Sequence, residues 1–358
     1  MGTRKSRLIL AINPGSTSTK IAVYDKDKQI YLKEINHTLQ DLSKYATIMD
    51  QLDFRKLNIL NLLKNTGFSL DTFACIVGRG GRLKPIPAGT YVVNETMLRE
   101  LRKNSEHASS LGAFLAKDIA DRIGVRSYVV DPISVDEMDE LARISGMPGI
   151  KRESIFHALN QKAVARRAAA AMNRPYNRTN LIVAHLGGGI SVGIHKKGKV
   201  VDVNNALCGD GPFAPTRSGG LPVWACIEYA RSGKYTLDDL KKNIMNQGGV
   251  AAYLGTEDMK IVKEMVRQGD RKARIVYQAM AYQIAKEISA GAAVLFGKVD
   301  AIVLTGGLAR DKEFVDLIRK RIKFIARILV YPGNNEMKAL VQGALRVLCS
   351  KEKAKEYI

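Results

Sequence analysis

Two stretches of the chain carry the same pattern of apolar and polar positions. Residues 8–35 read Leu-Ile-Leu-Ala-Ile, then Asn13-Pro14-Gly15-Ser16-Thr17-Ser18-Thr19-Lys20, then Ile-Ala-Val-Tyr, a charged turn, and a third apolar run from Ile30. Residues 181–203 repeat the plan: Leu-Ile-Val-Ala-His185-Leu, then Gly187-Gly188-Gly189, then Ile-Ser-Val-Gly-Ile, a turn at Lys197-Gly198, and Val-Val-Asp-Val. Short apolar runs bounded by turn residues predict strands. Each stretch is therefore a buried strand, a tight turn and two further strands, and a duplicated domain with a cleft between the copies is expected. Small residues in such turns let backbone amides come close to an anion, so two copies suit the phosphates of a nucleotide.

Around these repeats the periodicity changes from two to about 3.6. It predicts helices over 39–66, 95–103, 109–123, 154–173, 223–231, 236–245, 258–268 and 273–295, with a last one over 335–350 long enough to return to the first domain. Single strands are predicted at 73–77, near Tyr91, at 128–130 and at 301–304. The pattern weakens over 136–149, where Gly146, Pro148 and Gly149 crowd together, and a domain boundary is placed there. The division expected is a first domain of residues 1–150 plus 338–358 and a second of 151–337.

Composition narrows the function. With 358 residues, 46% apolar and 25% charged, the chain reads as a globular protein of two domains. No apolar run approaches the roughly 20 residues that span a bilayer, no secretory segment opens the chain, and a cytoplasmic location is expected. The start Met1-Gly2-Thr3-Arg4-Lys5-Ser6 formally fits an N-myristoylation pattern, but a short strand follows at once and the signal is discounted. Cys75, Cys208, Cys226 and Cys349 have neither zinc nor disulfide spacing. The net charge of +21 is scattered along the chain without interleaved aromatics, which argues against a nucleic-acid partner and leaves first a solvated basic surface and second a field that draws in anionic substrates, the two being compatible.

The candidate chemistry follows from the strand ends. The 13–20 turn lacks the Walker spacing, yet Asn13, Ser16, Ser18 and Lys20 offer donors and a cation to a phosphate or its metal. Three consecutive glycines after His185 are costly unless the backbone must approach something. Thr305-Gly306-Gly307 closes a strand and leads into a helix predicted from Asp311, a geometry suited to a nucleotide. Arg79 in Gly-Arg-Gly-Gly and Arg217 in Thr-Arg-Ser-Gly sit in loops, where a planar fork can spread charge over phosphoryl oxygens. His107 and His157 lie near helix starts, and Asp131 and Glu336 are isolated carboxylates at a strand end and a helix start. A nucleotide-bound Mg²⁺ needs only one or two protein acids.

Taken in order, Asn13 to Lys20, Gly78-Arg79-Gly80-Gly81, His107-Ala108-Ser109, Phe156-His157-Ala158-Leu159-Asn160, His185-Leu186-Gly187-Gly188-Gly189, Thr216-Arg217-Ser218-Gly219, Leu304-Thr305-Gly306-Gly307 and Asn335-Glu336 resemble the motifs of the acetate kinase family, and most closely its butyrate kinase branch. The resemblance implies an α/β fold of two similar actin-like domains, each a mixed five-stranded sheet flanked by helices, with a nucleotide cleft between them. It implies ATP/ADP and Mg²⁺ as cofactors, a short-chain carboxylic acid as partner, and a homodimer or higher homo-oligomer. The activity implied is transfer of the γ-phosphoryl group of ATP to a carboxylate, butyrate giving butyryl phosphate. Arg217, His157 and Arg79 are implied as catalytic. Asn13, Asp131 and Glu336 would serve the metal, Arg79 and His107 the acid. The phosphates and adenosine would fall to Asn13, Ser16, Ser18, Lys20, His185, Gly187, Gly188, Gly189, Asp258, Gly306 and Gly307. Two departures stand out: Gly188 occupies the position of an Asn in acetate kinases, and Arg79 lies slightly later in its loop than their substrate arginine. Chaperones and filament formers of the same superfamily carry Asp where this chain has Asn13 and His185, and have no use for the Thr-Arg-Ser-Gly stretch.

Overall fold

Among the described residues the apolar runs become eleven strands in two sheets, one in each of two compact units. The structure is a computed structural model that describes residues 8–105 and 107–358; the acylation-like pattern at residues 1–6 lies outside them. Unit 1 extends to Val135 and takes back Asn335–Ile358, and unit 2 is Asp136–Asn334.

In unit 1, β1 (Leu8–Pro14), β2 (Ser18–Asp25) and β3 (Lys28–Asn36) form an antiparallel meander. β4 (Phe73–Gly78) lies parallel to β1, and β6 (Arg126–Val130) parallel to β4. β5 (Thr90–Val92) pairs antiparallel with the far edge of β6. The order is therefore β3-β2-β1-β4-β6-β5, six strands where five were expected, because a three-residue segment satisfies the otherwise open edge of β6. Leu10, Ile12, Ile21 and Val23 pack on Ile59 and Leu63 of helix Leu52–Asn65 and on Leu115 and Ile119 of helix Leu111–Ile123. The expected helix over 39–66 is interrupted: Thr38 caps a single turn, Leu39–Leu42, and the chain restarts through a 3₁₀ turn at Met49–Gln51.

Unit 2 repeats the plan. β7 (Asn180–Leu186), β8 (Ile190–Lys196) and β9 (Lys199–Val203) form the meander, and β10 (Ala301–Gly306) and β11 (Ile328–Pro332) add in parallel, giving the order β11-β10-β7-β8-β9. Side chains alternate across a sheet, and the two cores separate accordingly. Leu181, Val183, Ala301 and Val303 face the Ala-rich helix Ala158–Ala171, whereas Ile182, Ala184, Ile302 and Leu304 face helix Arg271–Val294. The latter buries Val276, Met280, Ile284 and Ile288, one residue per turn. β11, bounded by Pro332, is a half-buried edge that the apolar pattern did not single out. Among the described residues no helix is long and apolar enough to cross a membrane.

Candidate active site

In unit 1 the β1–β2 turn is built around a residue that sequence reading passed over. Arg55 is fully buried in helix Leu52–Asn65. Its Nη1 donates to the carbonyls of Gly15 and Ser18, both at 2.9 Å, and to Thr19 Oγ1 at 3.0 Å. Nη2 donates to the Ser16 carbonyl at 3.0 Å, and Gln51 Oε1 accepts from Nε and Nη2. Every acceptor is neutral, so the positive charge beneath the turn is not cancelled by a bonded carboxylate. Burial pushes this guanidinium down to about 10. The Gly15 amide donates to the Ser18 carbonyl at 2.8 Å, so the turn is closed from within as well as held from below. The helical period had marked Arg55 only as one polar residue in a polar helix.

The expected donors of this turn divide. Asn13 Nδ2 donates to Glu336 Oε2 at 2.8 Å, and the same oxygen is paired with Arg79 Nη1 at 2.7 Å. Glu336 opens helix Glu336–Leu348, which packs on β1, β4 and β6, so residues 323 positions apart meet. Ser18 and Lys20 instead share Glu34 across the β2–β3 pairing, at 2.8 and 3.3 Å. The Ser18 hydrogen bond holds that carboxyl below its ordinary value. Ser16 contributes its carbonyl to Arg55.

Asp131 is buried, with a left-handed φ of 37°, and its Oδ1 accepts from Gly89 N at 2.7 Å while its own amide donates back to Gly89 O. His107 caps the turn Ala108–Ser110, its Nδ1 accepting from Ser109 N at 3.1 Å. Among the described residues no three acids, His or Cys converge as a metal site.

In unit 2 two histidines meet face to face. His157, just ahead of helix Ala158–Ala171, stacks on His185 at the end of β7, with ring centroids 3.9 Å apart and planes within 10°. His157 Nδ1 lies 2.9 Å from Ser191 Oγ, and His185 Nδ1 2.8 Å from Asn160 Oδ1. Beside them is the glycine turn. A Cβ on Gly189 would lie 1.8 Å from Arg217 Nη1, so glycine is what lets the guanidinium rest on this backbone. Arg217 Nη1 donates to Ala206 O at 2.5 Å, and its buried Nε has no hydrogen-bond partner among the described residues. Burial holds this guanidinium below its ordinary value. Thr216 ties the loop down, donating through N and Oγ1 to Gly188 O. Around Gly188 a Cβ would meet open space.

The expected adenosine residues lie elsewhere in the same unit. Gly306, with φ 90°, passes so close to the Leu186 carbonyl that a Cβ would come within 2.2 Å, while Gly307 is open on its side. Asp258 caps helix Met259–Arg267 through Lys260 N. Its neighbour in role is Asp311, expected only as a helix start, which accepts from Lys263 and Tyr277; against its burial, those hydrogen bonds hold it below the ordinary carboxylate range.

A family model described as the acetokinase family matches residues 145–355. In fold, the chain is similar to an acetate kinase from Porphyromonas gingivalis, with a TM-score of 0.78 at 17% identity over 95% of this chain and 99% of that one. A propionate kinase from Francisella tularensis follows, at 0.75 and 17% over 94% and 98%. An acetate kinase from Entamoeba histolytica gives 0.74 and 18% over 94% and 98%. At such identities these structures speak for the fold, and the family match covers more than half of the chain.

Proposed function

This chain belongs to the acetokinase family, phosphotransferases with a carboxyl group as acceptor, and from that premise we propose that it is a short-chain fatty acid kinase acting on butyrate. A carboxylate oxygen attacks the γ-phosphorus of ATP, the bond to the β–γ bridging oxygen breaks, and butyryl phosphate and ADP form. The acid has a pKa near that of Glu and is already ionised at neutral pH, so no general base is required. What remains is alignment and neutralisation of charge on a loose, in-line phosphoryl group.

The observation that carries this reading is Arg217: a half-buried residue seated on the triple-glycine turn, with no acid partner among the described residues and a buried Nε donor lacking an acceptor among them. Such a donor is costly in a finished structure and suited to an arriving anion. On this reading His157 supports transfer, the phosphate residues are His185, Gly187, Gly188 and Gly189 of unit 2 and Asn13, Ser16, Ser18 and Lys20 of unit 1, and Gly306, Gly307 and Asp258 receive adenosine. Arg79 and His107 are assigned to the acid.

The family's chemistry implies Mg²⁺, and the residues fit an ion held mainly by nucleotide oxygens. Glu336 would supply one carboxylate, Asn13, whose Nδ2 is bonded to it, an amide oxygen, and Asp131 a second acid. The ion would neutralise phosphate charge beside the Arg79–Glu336 pair. A cytoplasmic homo-oligomer belongs to the same reading.

A hydroxamate assay with Mg-ATP and acetate, propionate, butyrate, isobutyrate and valerate tests it. Butyrate should give the highest kcat/KM. Each methylene is worth about 1 kcal/mol, so a series led by acetate overturns the butyrate assignment, and no acyl phosphate from any acid overturns the reaction.

A further inference from the structure

We propose that two side-chain amides on one helix lock the stacked histidines of unit 2 into opposite tautomers, with the His157 proton on Nε2 and the His185 proton on Nδ1. This makes Gln161, Ser191 and Asn160 positioning residues, and it rests on the reading above only for the use to which His157 is put.

The polarity follows from two backbone carbonyls. A carbonyl only accepts, so the nitrogen of an amide side chain must face it. Gln161 Nε2 lies 3.0 Å from Ser191 O, which fixes the amide: Nε2 also donates to Ser191 Oγ at 2.8 Å, and Oε1 faces His195. The Ser191 hydroxyl accepts from Gln161, and also, at 3.5 Å, from the His157 amide. Its own proton is left for His157 Nδ1 at 2.9 Å. A ring nitrogen that accepts is bare, so neutral His157 carries its proton on Nε2.

The remote end of the chain agrees. His195 is fully buried, 3.1 Å from Gln161 Oε1 through Nε2 and 2.7 Å from the Tyr176 hydroxyl through Nδ1. Gln161 Oε1 can only accept, so His195 donates through Nε2 and accepts from Tyr176. Burial, reinforced by Lys162 and Arg166, keeps His195 neutral, well below its ordinary value. Tyr176 is in turn flanked by those two cations, 5.7 and 5.5 Å from its ring centroid. The sequence keeps room for this arrangement: a Cβ on Gly193 of β8 would lie 2.2 Å from Gln161 Oε1.

Asn160 applies the same rule one residue earlier. Its Nδ2 donates to Asn334 O at 2.6 Å, so Oδ1 faces His185 Nδ1 at 2.8 Å and that nitrogen must be the donor. His157 then offers a hydrogen-bond donor through Nε2, the form useful to a phosphoryl oxygen. Neutral His185 presents a bare Nε2 and supports the partner ring by stacking, so the phosphate contact assigned to it above calls for the doubly protonated ring.

Long-range ¹H–¹⁵N correlation of the imidazole nitrogens in the intact protein tests this without reference to activity. The wild type should show His157 protonated on Nε2 and His185 on Nδ1; His157 protonated on Nδ1 overturns the proposal. In Gln161→Glu the carboxylate cannot donate, so the Ser191 hydroxyl should turn toward it and His157 should shift its proton to Nδ1. Its kcat should fall about tenfold or more with KM for ATP within twofold. Ser191→Ala, which removes the hydroxyl without adding charge, should give a mixture of His157 tautomers in a protein of near wild-type melting temperature. A single unchanged tautomer in both variants overturns the proposal. Absence of acyl phosphate in the wild type with both tautomers as stated would sink the kinase reading and leave this one standing.

Discussion

The β1–β2 turn of unit 1 and the β7–β8 turn of unit 2 occupy the same place in the same strand plan, yet they are held by opposite means. In the first, a buried arginine reaches up from a helix and takes the turn's carbonyls, leaving an uncompensated charge beneath it. In the second, the turn is nearly bare backbone, and an arginine comes to rest on it from a neighbouring loop through the gap left by a missing Cβ. One turn is organised from inside by a buried side chain; the other has room for a guanidinium against its backbone only because Gly189 has no Cβ. The difference makes Arg55 a scaffold of its turn, and it is Arg217 to which the proposed function gives chemical duty.

The sharpest way to break this contrast is Arg217→Ala. We expect kcat to fall by about 10²–10³, the usual cost of losing one transition-state donor, with ATP affinity little changed; normal turnover in steady-state kinetics would remove the clamp. Gly189→Ala should imitate it in part, because the new methyl would sit 1.8 Å from Nη1 and push the guanidinium away. Its melting temperature should stay within a few degrees while kcat drops, and a wild-type rate would mean that the close packing has no role.

Arg55→Met should act the other way round. Removing the guanidinium strands the Gly15, Ser16 and Ser18 carbonyls, at a cost of about 1–3 kcal/mol, so chemical denaturation should show the larger loss and KM for ATP should rise more than kcat falls.

Acid should find the first turn as well. Arg55 donates to Thr19 Oγ1, and Thr19 in turn faces His37 Nε2 at 2.9 Å. Burial first, and then the Arg55 charge, push His37 down to about 4 from an ordinary 6.5, opposed weakly by Asp41. Between those values the unfolded chain binds a proton that the folded one refuses, so stability is full above pH 6.5 and declines as the pH falls toward 4. His37→Gln should flatten that decline by about 1–2 kcal/mol, read against the wild type because buried His195 tilts the curve the same way. An identical pH dependence in the variant would refute this.

The smallest effect is expected from Gly188→Asn. The position is open and its backbone needs no glycine, so the added amide should lower KM for ATP a few-fold, about 1 kcal/mol, with kcat nearly unchanged. A rise in KM would show that the turn must stay bare.

Sequence alone fixed whatever depends on near neighbours. The duplicated strand–turn–strand plan, the helix stripe at Val276, Met280, Ile284 and Ile288, the helix starts at Asp258 and Asp311, and the loops carrying Arg79 and Arg217 are all written in spacings of two to four residues. Short-range backbone geometry enforces those spacings directly. Tertiary structure decided which of the marked side chains meet. Nothing in the spacing joins Asn13 to Glu336 across 323 positions, gives Ser18 and Lys20 to Glu34, or turns Arg55 and Gln161 inward. A polar residue in an amphipathic helix looks the same whether water or a buried carbonyl is its partner. The choice between them is made by desolvation, which exists only once the sheets have closed over the helix faces.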